Sequence, residues 1–203
     1  MIKRSSKKFI EETLSTKPDW LILDIGCGYN ANQFASVICD VQDLSNYYPY
    51  KKFVRLIDKK LPFKDNEFDF VIASHVMEHV VDIEFFIKEL ERVSKKGYIE
   101  LPTMLEDNLV FENKKDHLWH MDFDDVDNEL LISKKIQYFE PILTVSSTKK
   151  LHKIFRKSFI LELLWENHID YKINKSIESG YKKISILNLL KKYFSKRLRM
   201  IFK

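Results

Sequence analysis

Residues 21–28, which read Leu-Ile-Leu-Asp-Ile-Gly-Cys-Gly, decide the fold. A short apolar run containing Asp24 breaks at two glycines that are separated by one residue. This pattern predicts a buried parallel strand that leads into a tight loop. Because glycine has no Cβ, the backbone of such a loop can approach a ligand closely, and its amides can meet a nucleotide-like group.

A second apolar run, Ala-Ser-Val-Ile-Cys-Asp over residues 35–40, ends in Asp40. An acid at the tip of the strand that follows a glycine loop is the usual partner of a ribose diol, which it holds through two charge-assisted hydrogen bonds. The two segments together predict a nucleoside site at the carboxyl ends of neighbouring strands.

Three further motifs follow in the chain. Residues 61–80 read Leu-Pro-Phe-Lys-Asp-Asn-Glu-Phe-Asp-Phe-Val-Ile-Ala-Ser-His-Val-Met-Glu-His-Val, residues 89–93 read Glu-Leu-Glu-Arg-Val, and residues 96–102 read Lys-Gly-Tyr-Ile-Glu-Leu-Pro. With the glycine loop, this series over residues 20–102 resembles the class I S-adenosylmethionine-dependent methyltransferases, in the branch with Leu-Pro-Phe, Phe-Asp and Glu-His-Val motifs. The resemblance implies a methyltransferase enzyme that uses S-adenosylmethionine and releases S-adenosylhomocysteine.

The predicted fold class is α/β, a Rossmann-like and mostly parallel sheet with helices on both faces. The first crossover is short, because residues 29–34 are fewer than the ~10–12 that a full crossover needs. We assign residues 1–180 to one methyltransferase domain and residues 181–203 to a basic amphipathic C-terminal helix. Strands are expected at residues 20–24, 36–39, 52–56, 68–74 and 97–101, and helices at residues 10–14 and 82–94.

The resemblance also implies where the methyl donor binds. The glycine loop shapes the pocket for its amino-acid part, Asp40 holds the ribose hydroxyls, Asp58 meets the adenine amine, and Ser74 and His75 form the floor near the sulfonium. The implied cofactor set, taken from the ends of the first four strands, is Asp24, Gly26, Cys27, Gly28, Asp40, Val41, Ile57, Asp58, Ser74 and His75.

Residues 103–140 are expected to define the acceptor. One hypothesis is that Glu100 and His117 act together as a proton-accepting pair near the methyl group, with His79 completing the catalytic set. The structural alternative is that His117 and His120 are hairpin residues and that Trp119 is a lid packed on the core. The acceptor is expected to be a small molecule, or a glycan- or lipid-linked intermediate, methylated at oxygen or nitrogen in a biosynthetic pathway.

A competing function is a methyltransferase-like protein that holds cofactor or a partner without turnover. Two departures from the family pattern favour it: Asn30 stands where the family has a third glycine, and the first crossover is short.

A metal site is a further hypothesis. His75, Glu78 and His79 have i, i+3, i+4 spacing, which would place them on one face of a helix that starts at Ser74 and could bind Zn²⁺. The alternative is that His75 borders the cofactor while Glu78 and His79 fix a loop by hydrogen bonds. We expect no metal.

Composition indicates a folded protein, with 45% hydrophobic and 32% charged residues among 203. Its two cysteines, Cys27 and Cys39, cannot staple a chain of this size, so a reducing cytoplasmic compartment is expected. No apolar run approaches the ~18–20 residues of a membrane span, and residues 1–8 lack the apolar segment of a signal peptide.

Residues 181–203 differ from the rest of the chain, because they carry eight Lys or Arg and no Asp or Glu. Apolar residues recur there at helical spacing, at Ile184, Leu187, Leu190, Phe194, Leu198 and Ile201. Such a helix can lie on an anionic membrane surface, or it can pack on its own domain or on a second subunit of a homodimer. Nucleic-acid binding is not expected, since the basic excess is confined to this tail.

Overall fold

The computed structural model describes residues 1–174 and 183–201. The strands of this part are β1 (Ile2–Arg4), β2 (Ile22–Ile25), β3 (Val37–Asp40), β4 (Lys52–Arg55), β5 (Phe70–Ser74), β6 (Lys96–Pro102), β7 (Trp119–Asp124), β8 (Glu129–Lys134), β9 (Ile160–Glu166) and β10 (Tyr171–Asn174). The helices are α1 (Lys7–Ser15), α2 (Ile83–Val93), α3 (Met104–Leu109), α4 (Asn113–Asp116), α5 (Val145–Phe159) and α6 (Ile186–Ile201), and a 3₁₀ turn covers Met77–His79.

The central sheet has seven strands in the order β1-β9-β6-β5-β2-β3-β4. Strands β4, β3, β2, β5 and β6 pair in parallel, whereas β9 runs antiparallel to β6 and to β1. The predicted Rossmann-like, mostly parallel α/β fold is thus confirmed. All five predicted strands are present, with bounds within two residues of those expected.

The core lies on both faces of this sheet because strand residues alternate between them. Helix α1 contributes Ile10 and Leu14 to one face, where they pack with Ile22 of β2. Helix α2 covers the other face together with β7 and β8. Asp82 caps α2 by accepting a hydrogen bond from the Phe85 amide at 3.3 Å, so this helix begins where its sequence predicted.

The short first crossover is confirmed, since residues 26–36 between β2 and β3 contain no helix. Residues 41–51, between β3 and β4, also connect without one. Loops rather than helices therefore follow the carboxyl ends of β2 and β3, which leaves space for a ligand there.

The chain after β6 forms a smaller sheet in the order β10-β8-β7. Its β7–β8 hairpin lies within residues 103–140, and Met121, Phe123 and Ile132 join the core under α2. This hairpin places residues 117–120 beside the 3₁₀ turn.

Helix α6 is present where the tail pattern predicted a helix, yet none of its described residues is buried. Its apolar side chains after Ile186 are exposed, from 45% at Leu190 to 72% at Ile201. Of the helices in residues 1–174 and 183–201, none combines the length and apolarity needed to cross a bilayer. The expected boundary between residues 180 and 181 lies outside the described residues.

Candidate active site

Two cavities open at the carboxyl ends of the parallel strands. One has a volume of about 640 Å³, and its lining includes Asp40, Val41, Asp58 and His79. The other has a volume of about 780 Å³, and its lining includes Asp24, Cys27, Gly28, Ser74 and Glu100. Gly26 and His75 line both cavities. Of the ten predicted cofactor residues, Ile57 alone lines neither, since its side chain points to solvent and is 85% exposed.

The glycine loop has a conformation that requires glycine at Gly26. Its φ is +64°, and a Cβ there would lie 2.5 Å from Cγ2 of Val76. Gly28 has a φ of +49° but open space around the position of a Cβ. Asn30 does not have a positive φ, so no glycine is needed at this departure from the family pattern. The cradle fits the close approach of a cofactor at Gly26.

Two buried aspartates hold the loop in this shape. Asp24 accepts a hydrogen bond from the Asn32 amide at 2.7 Å, and burial raises the pKa of its carboxyl to about 6. Asp40 accepts from the amide of Gly28 and from that of Gln42, both at 2.9 Å. Each oxygen of Asp40 keeps a further lone pair, so it can still accept from a hydroxyl.

Tyr48 is a loop residue that the sequence did not reveal. Its hydroxyl donates to the carbonyl of Gly28 at 2.8 Å and accepts from the amide of Ala31 at 3.0 Å. It follows β3 in a connection without regular structure, and no local pattern sets it apart from the neighbouring tyrosines.

His75 stands at the junction of the two cavities in a left-handed conformation, with a φ of +55°. Its Nδ1 lies 3.3 Å from Glu78 Oε1, and its Nε2 lies 3.3 Å from Glu100 Oε1. Burial acts to lower the pKa of His75, but the contacts with Glu100 and Glu78 outweigh it and raise the pKa to about 10. His75 is therefore a charged hydrogen-bond donor held in a strained backbone, which is typical of functional sites.

Glu100 belongs to a cluster of buried charges between β6, β9 and α5. It accepts from the Tyr98 hydroxyl and from Arg156 Nη2, each at 2.8 Å, and the same two groups contact Glu162. Burial acts to raise the pKa of Glu100, but His75 and Arg156 outweigh it and lower the pKa to about 2. Such a carboxylate is a weak proton acceptor near neutral pH.

The predicted pair of Glu100 and His117 is not formed. His117 Nδ1 lies instead 2.5 Å from Oδ1 of Asp107 in α3. Asp107 also contacts His120 Nδ1 at 3.1 Å, and these hydrogen bonds lower its pKa although burial opposes them. Asp107 is a further residue that the sequence analysis missed.

His117 meets another predicted catalytic residue, His79. The ring centroids of these histidines are 4.6 Å apart, and the rings are nearly perpendicular. His79 Nδ1 lies 2.9 Å from the carbonyl oxygen of Asp116. The structure therefore brings together two of the three predicted catalytic residues.

Trp119 and His120 fit the structural alternative. Trp119 packs in the core of the hairpin, and its Nε1 donates to the carbonyl of Val80 at 2.7 Å. His120 lies in β7 and is 2% exposed. Neither residue lines the two cavities.

The helical spacing assumed for a set of His75, Glu78 and His79 does not apply. The chain passes from β5 through His75 with a positive φ and then forms only the 3₁₀ turn at Met77–His79.

Burial raises the pKa of the Cys27 thiol to about 12, which agrees with a packing role for this residue in the loop.

Several known proteins are similar to this chain in sequence. Residues 23–99 match the family model described as "Methyltransferase domain". An uncharacterized protein, MJ0638 from Methanocaldococcus jannaschii, is 28% identical over 188 residues, which cover 74% of this chain and 80% of that protein. Sterol 24-C-methyltransferase ERG6B from Gibberella zeae is 28% identical over 134 residues, which cover 53% of this chain and 34% of that protein.

Solved structures of similar shape include a SAM-dependent methyltransferase from Methanosarcina mazei. It is 18% identical, with a TM-score of 0.47, and the alignment covers 82% of this chain and 100% of that one. A SAM-dependent methyltransferase from Aquifex aeolicus is 14% identical, with a TM-score of 0.43, and the alignment covers 78% and 87% of the two chains.

The match over residues 23–99 agrees with the family that the motifs predicted, the class I methyltransferases, over that part of the chain. The match supports a methyltransferase enzyme, and S-adenosylmethionine is the cofactor that the motifs predicted for it.

Proposed function

We propose that this methyltransferase acts on an oxygen or nitrogen atom of a small molecule, or of a glycan- or lipid-linked intermediate, in a biosynthetic pathway. The observation that carries the proposal is the meeting of the two cavities at Gly26 and His75. Adenosine would occupy the cavity with Asp40 and Asp58, and the amino-acid part of the donor would occupy the cavity with Asp24. The sulfonium then lies near His75, where an acceptor can approach.

Methyl transfer from this donor is an in-line displacement, so the protein mainly aligns the reactants. A hydroxyl acceptor must also lose its proton. Glu100 and His75 are poor acceptors for that proton. The Glu100 carboxyl has a pKa of about 2, so it holds a proton only weakly, and the His75 imidazole has a pKa of about 10, so it is already protonated near neutral pH. His79, which lines the first cavity, and His117 have no hydrogen bond at Nε2 to any residue that the structure describes, so this pair is the better location for deprotonation.

Fewer observations support the alternative of a non-catalytic scaffold. Asn30 has no positive φ, so its presence does not disturb the loop. Release of S-adenosylhomocysteine in the presence of a candidate acceptor would separate an enzyme from a protein that only holds the cofactor.

Replacing Asp40 with Ala is expected to weaken S-adenosylmethionine binding by about 1.5–3 kcal/mol, the scale of hydrogen bonds to a charged group. The loss has two parts, because Asp40 also holds the amide of Gly28. Isothermal titration calorimetry with the full chain measures it.

Asp43→Ala is the matched control, since this exposed carboxylate accepts from Ser45 and lines neither cavity. Its affinity should equal that of the unmodified protein. If the Asp40 variant bound S-adenosylmethionine as tightly as the unmodified protein, Asp40 would not hold the ribose.

For the C-terminal helix we propose an anionic membrane surface as the partner. The tail carries eight basic residues and no acidic one, and α6 exposes its apolar side chains. A second copy of α6 would bring like charges together, whereas anionic lipids attract them by about 1 kcal/mol for each Lys or Arg near the surface. Such a protein would be cytoplasmic with a peripheral attachment.

The full chain is therefore expected to co-sediment with phosphatidylserine-containing vesicles at low salt and to be released at high salt. Vesicles of phosphatidylcholine alone should retain much less of it. A double substitution on the apolar side of α6, Leu190→Ser with Phe194→Ser, should abolish sedimentation without changing the melting temperature, because neither side chain is buried. If both vesicle types retained equal amounts of the protein at every salt concentration, binding would not depend on charge. That result would contradict the proposed attraction between the basic residues and anionic lipids.

A further inference from the structure

We propose that Glu78, His79 and His117 form a binding site for Zn²⁺. Each residue offers one ligand atom, and these atoms all lie within 4.8 Å of one another. Two imidazole nitrogens and one carboxylate, with a position left open, are the ligand set of many catalytic zinc sites. Zn²⁺ requires ~2.0–2.2 Å to each ligand atom, and His79 is the exposed member of the three, so its side chain can adjust to the ion.

The hydrogen bonds of both histidines direct Nε2 to the ion. A carbonyl oxygen only accepts, so the contact with Asp116 places the proton of His79 on Nδ1 and leaves a lone pair on Nε2. The contact of His117 Nδ1 with the Asp107 carboxylate has the same effect. Carboxylate or carbonyl partners on the far nitrogen are the usual second contact of zinc-bound histidines.

Glu78 supplies an independent observation. Its side chain is 1% exposed, and neither carboxylate oxygen has a hydrogen-bond partner among the described residues. The 3.3 Å contact of Oε1 with His75 leaves Oε2 without any partner there. A buried carboxylate without hydrogen bonds is costly, and a cation beside the two histidines would satisfy it.

The backbone holds the two ligand segments together. The Leu118 amide donates to the carbonyl of Glu78 at 2.7 Å, and Trp119 Nε1 donates to the carbonyl of Val80 at 2.7 Å. These ties fix the residue after His117 to the turn that carries Glu78 and His79, so the site exists before the ion arrives.

The location suggests a use for the ion. His79 lines the cavity of about 640 Å³, next to His75. With the ion bound, the Nε2 lone pairs of both histidines are occupied, so the ion replaces them in promoting deprotonation. A hydroxyl acceptor at the open position would have a lowered pKa and would release its proton to solvent as the oxygen attacks the methyl group. This role rests on the proposed function, and the metal site itself does not.

The test is metal binding by the chelator-stripped full chain, measured by Zn²⁺ competition with a chromophoric chelator. The visible absorption of Co²⁺ gives a second measurement that reports the ligand geometry. One ion per chain is expected for the unmodified protein. His79→Gln and Glu78→Gln should each weaken Zn²⁺ binding by more than ~100-fold, which exceeds the effect of losing only a second-shell partner.

His168→Gln is the matched control, because this exposed histidine also lies beside two carboxylates, Glu91 and Asp170. Its Zn²⁺ affinity should be unchanged. Melting curves without metal check that the variants fold, and His79 is exposed enough to be replaced safely.

Failure of the unmodified protein to bind Zn²⁺ or Co²⁺, or equal binding by His79→Gln, would overturn the site. Calorimetry with S-adenosylmethionine on the same samples keeps this outcome separate from the proposed function, because cofactor binding should persist without the ion.

Discussion

Replacing Gly26 with Val is expected to abolish measurable S-adenosylmethionine binding. The residue has a φ of +64°, which a β-branched side chain rarely adopts. A Cβ would also lie 2.5 Å from Cγ2 of Val76, so either the loop or the strand end must shift. Because Gly26 lines both cavities, such a shift changes the site on both sides of the sulfonium. Calorimetry should show a loss of more than about 100-fold, equivalent to about 3 kcal/mol.

Two further variants separate the clash from a general loss of folding. Gly28→Ala has a similar backbone strain but nothing within 4 Å of the new Cβ, so it should lower stability by about 1 kcal/mol and largely keep cofactor binding. Gly26→Ala combined with Val76→Ala removes the methyl group that the new Cβ meets, and it should bind better than Gly26→Ala alone. Full affinity in Gly26→Val, with an unchanged melting temperature, would show that the cofactor does not use this loop.

The centre of the fold was predictable because its signals are local. The apolar run before Gly26, the acid at Asp40 and the cap at Asp82 each report on a few neighbouring residues, and the structure confirms the strands and the helix that they predicted. Strands β1 and β9, which extend the sheet beyond β6, were not predicted. They pair across more than 150 residues of chain, as between Ile2 and Trp165, and no local pattern records that pairing.

The candidate site was predictable only in part, for a related reason. Residues on strand ends fall near one another whenever the sheet is parallel, which is why nine of ten cofactor residues line the cavities. The partner of His117 depends instead on how α3 and α4 fold back, and this selects Asp107 over Glu100. The spacing of His75 and His79 wrongly predicted a common helix face, because the positive φ at His75 prevents a helix there.

The network around Glu100 leads to a prediction about stability and pH. Replacing Arg156 with Met is expected to lower the free energy of unfolding by about 3 kcal/mol near neutral pH, because it leaves the buried carboxylates of Glu100 and Glu162 without their shared cation. Urea denaturation of the full chain measures the difference. Arg4→Met is the matched control: its pair with Asp125 is exposed, so its loss should cost less than about 1 kcal/mol.

The loss of unfolding free energy in Arg156→Met should become smaller as the pH falls. In the folded protein the pKa of Glu100 is about 2, below its ordinary value of 4.5, so the unfolded chain binds this proton first as pH falls. The stability that the ionised carboxylate contributes is therefore complete above about pH 5 and is lost as the pH falls toward 2. Arg156→Met raises the folded pKa of Glu100, so the variant loses less over that interval and its deficit relative to the unmodified protein narrows. A deficit that stays constant between about pH 5 and pH 2 would mean that Arg156 stabilises the fold by packing of its aliphatic stem, and that the charge of Glu100 is balanced by His75 alone.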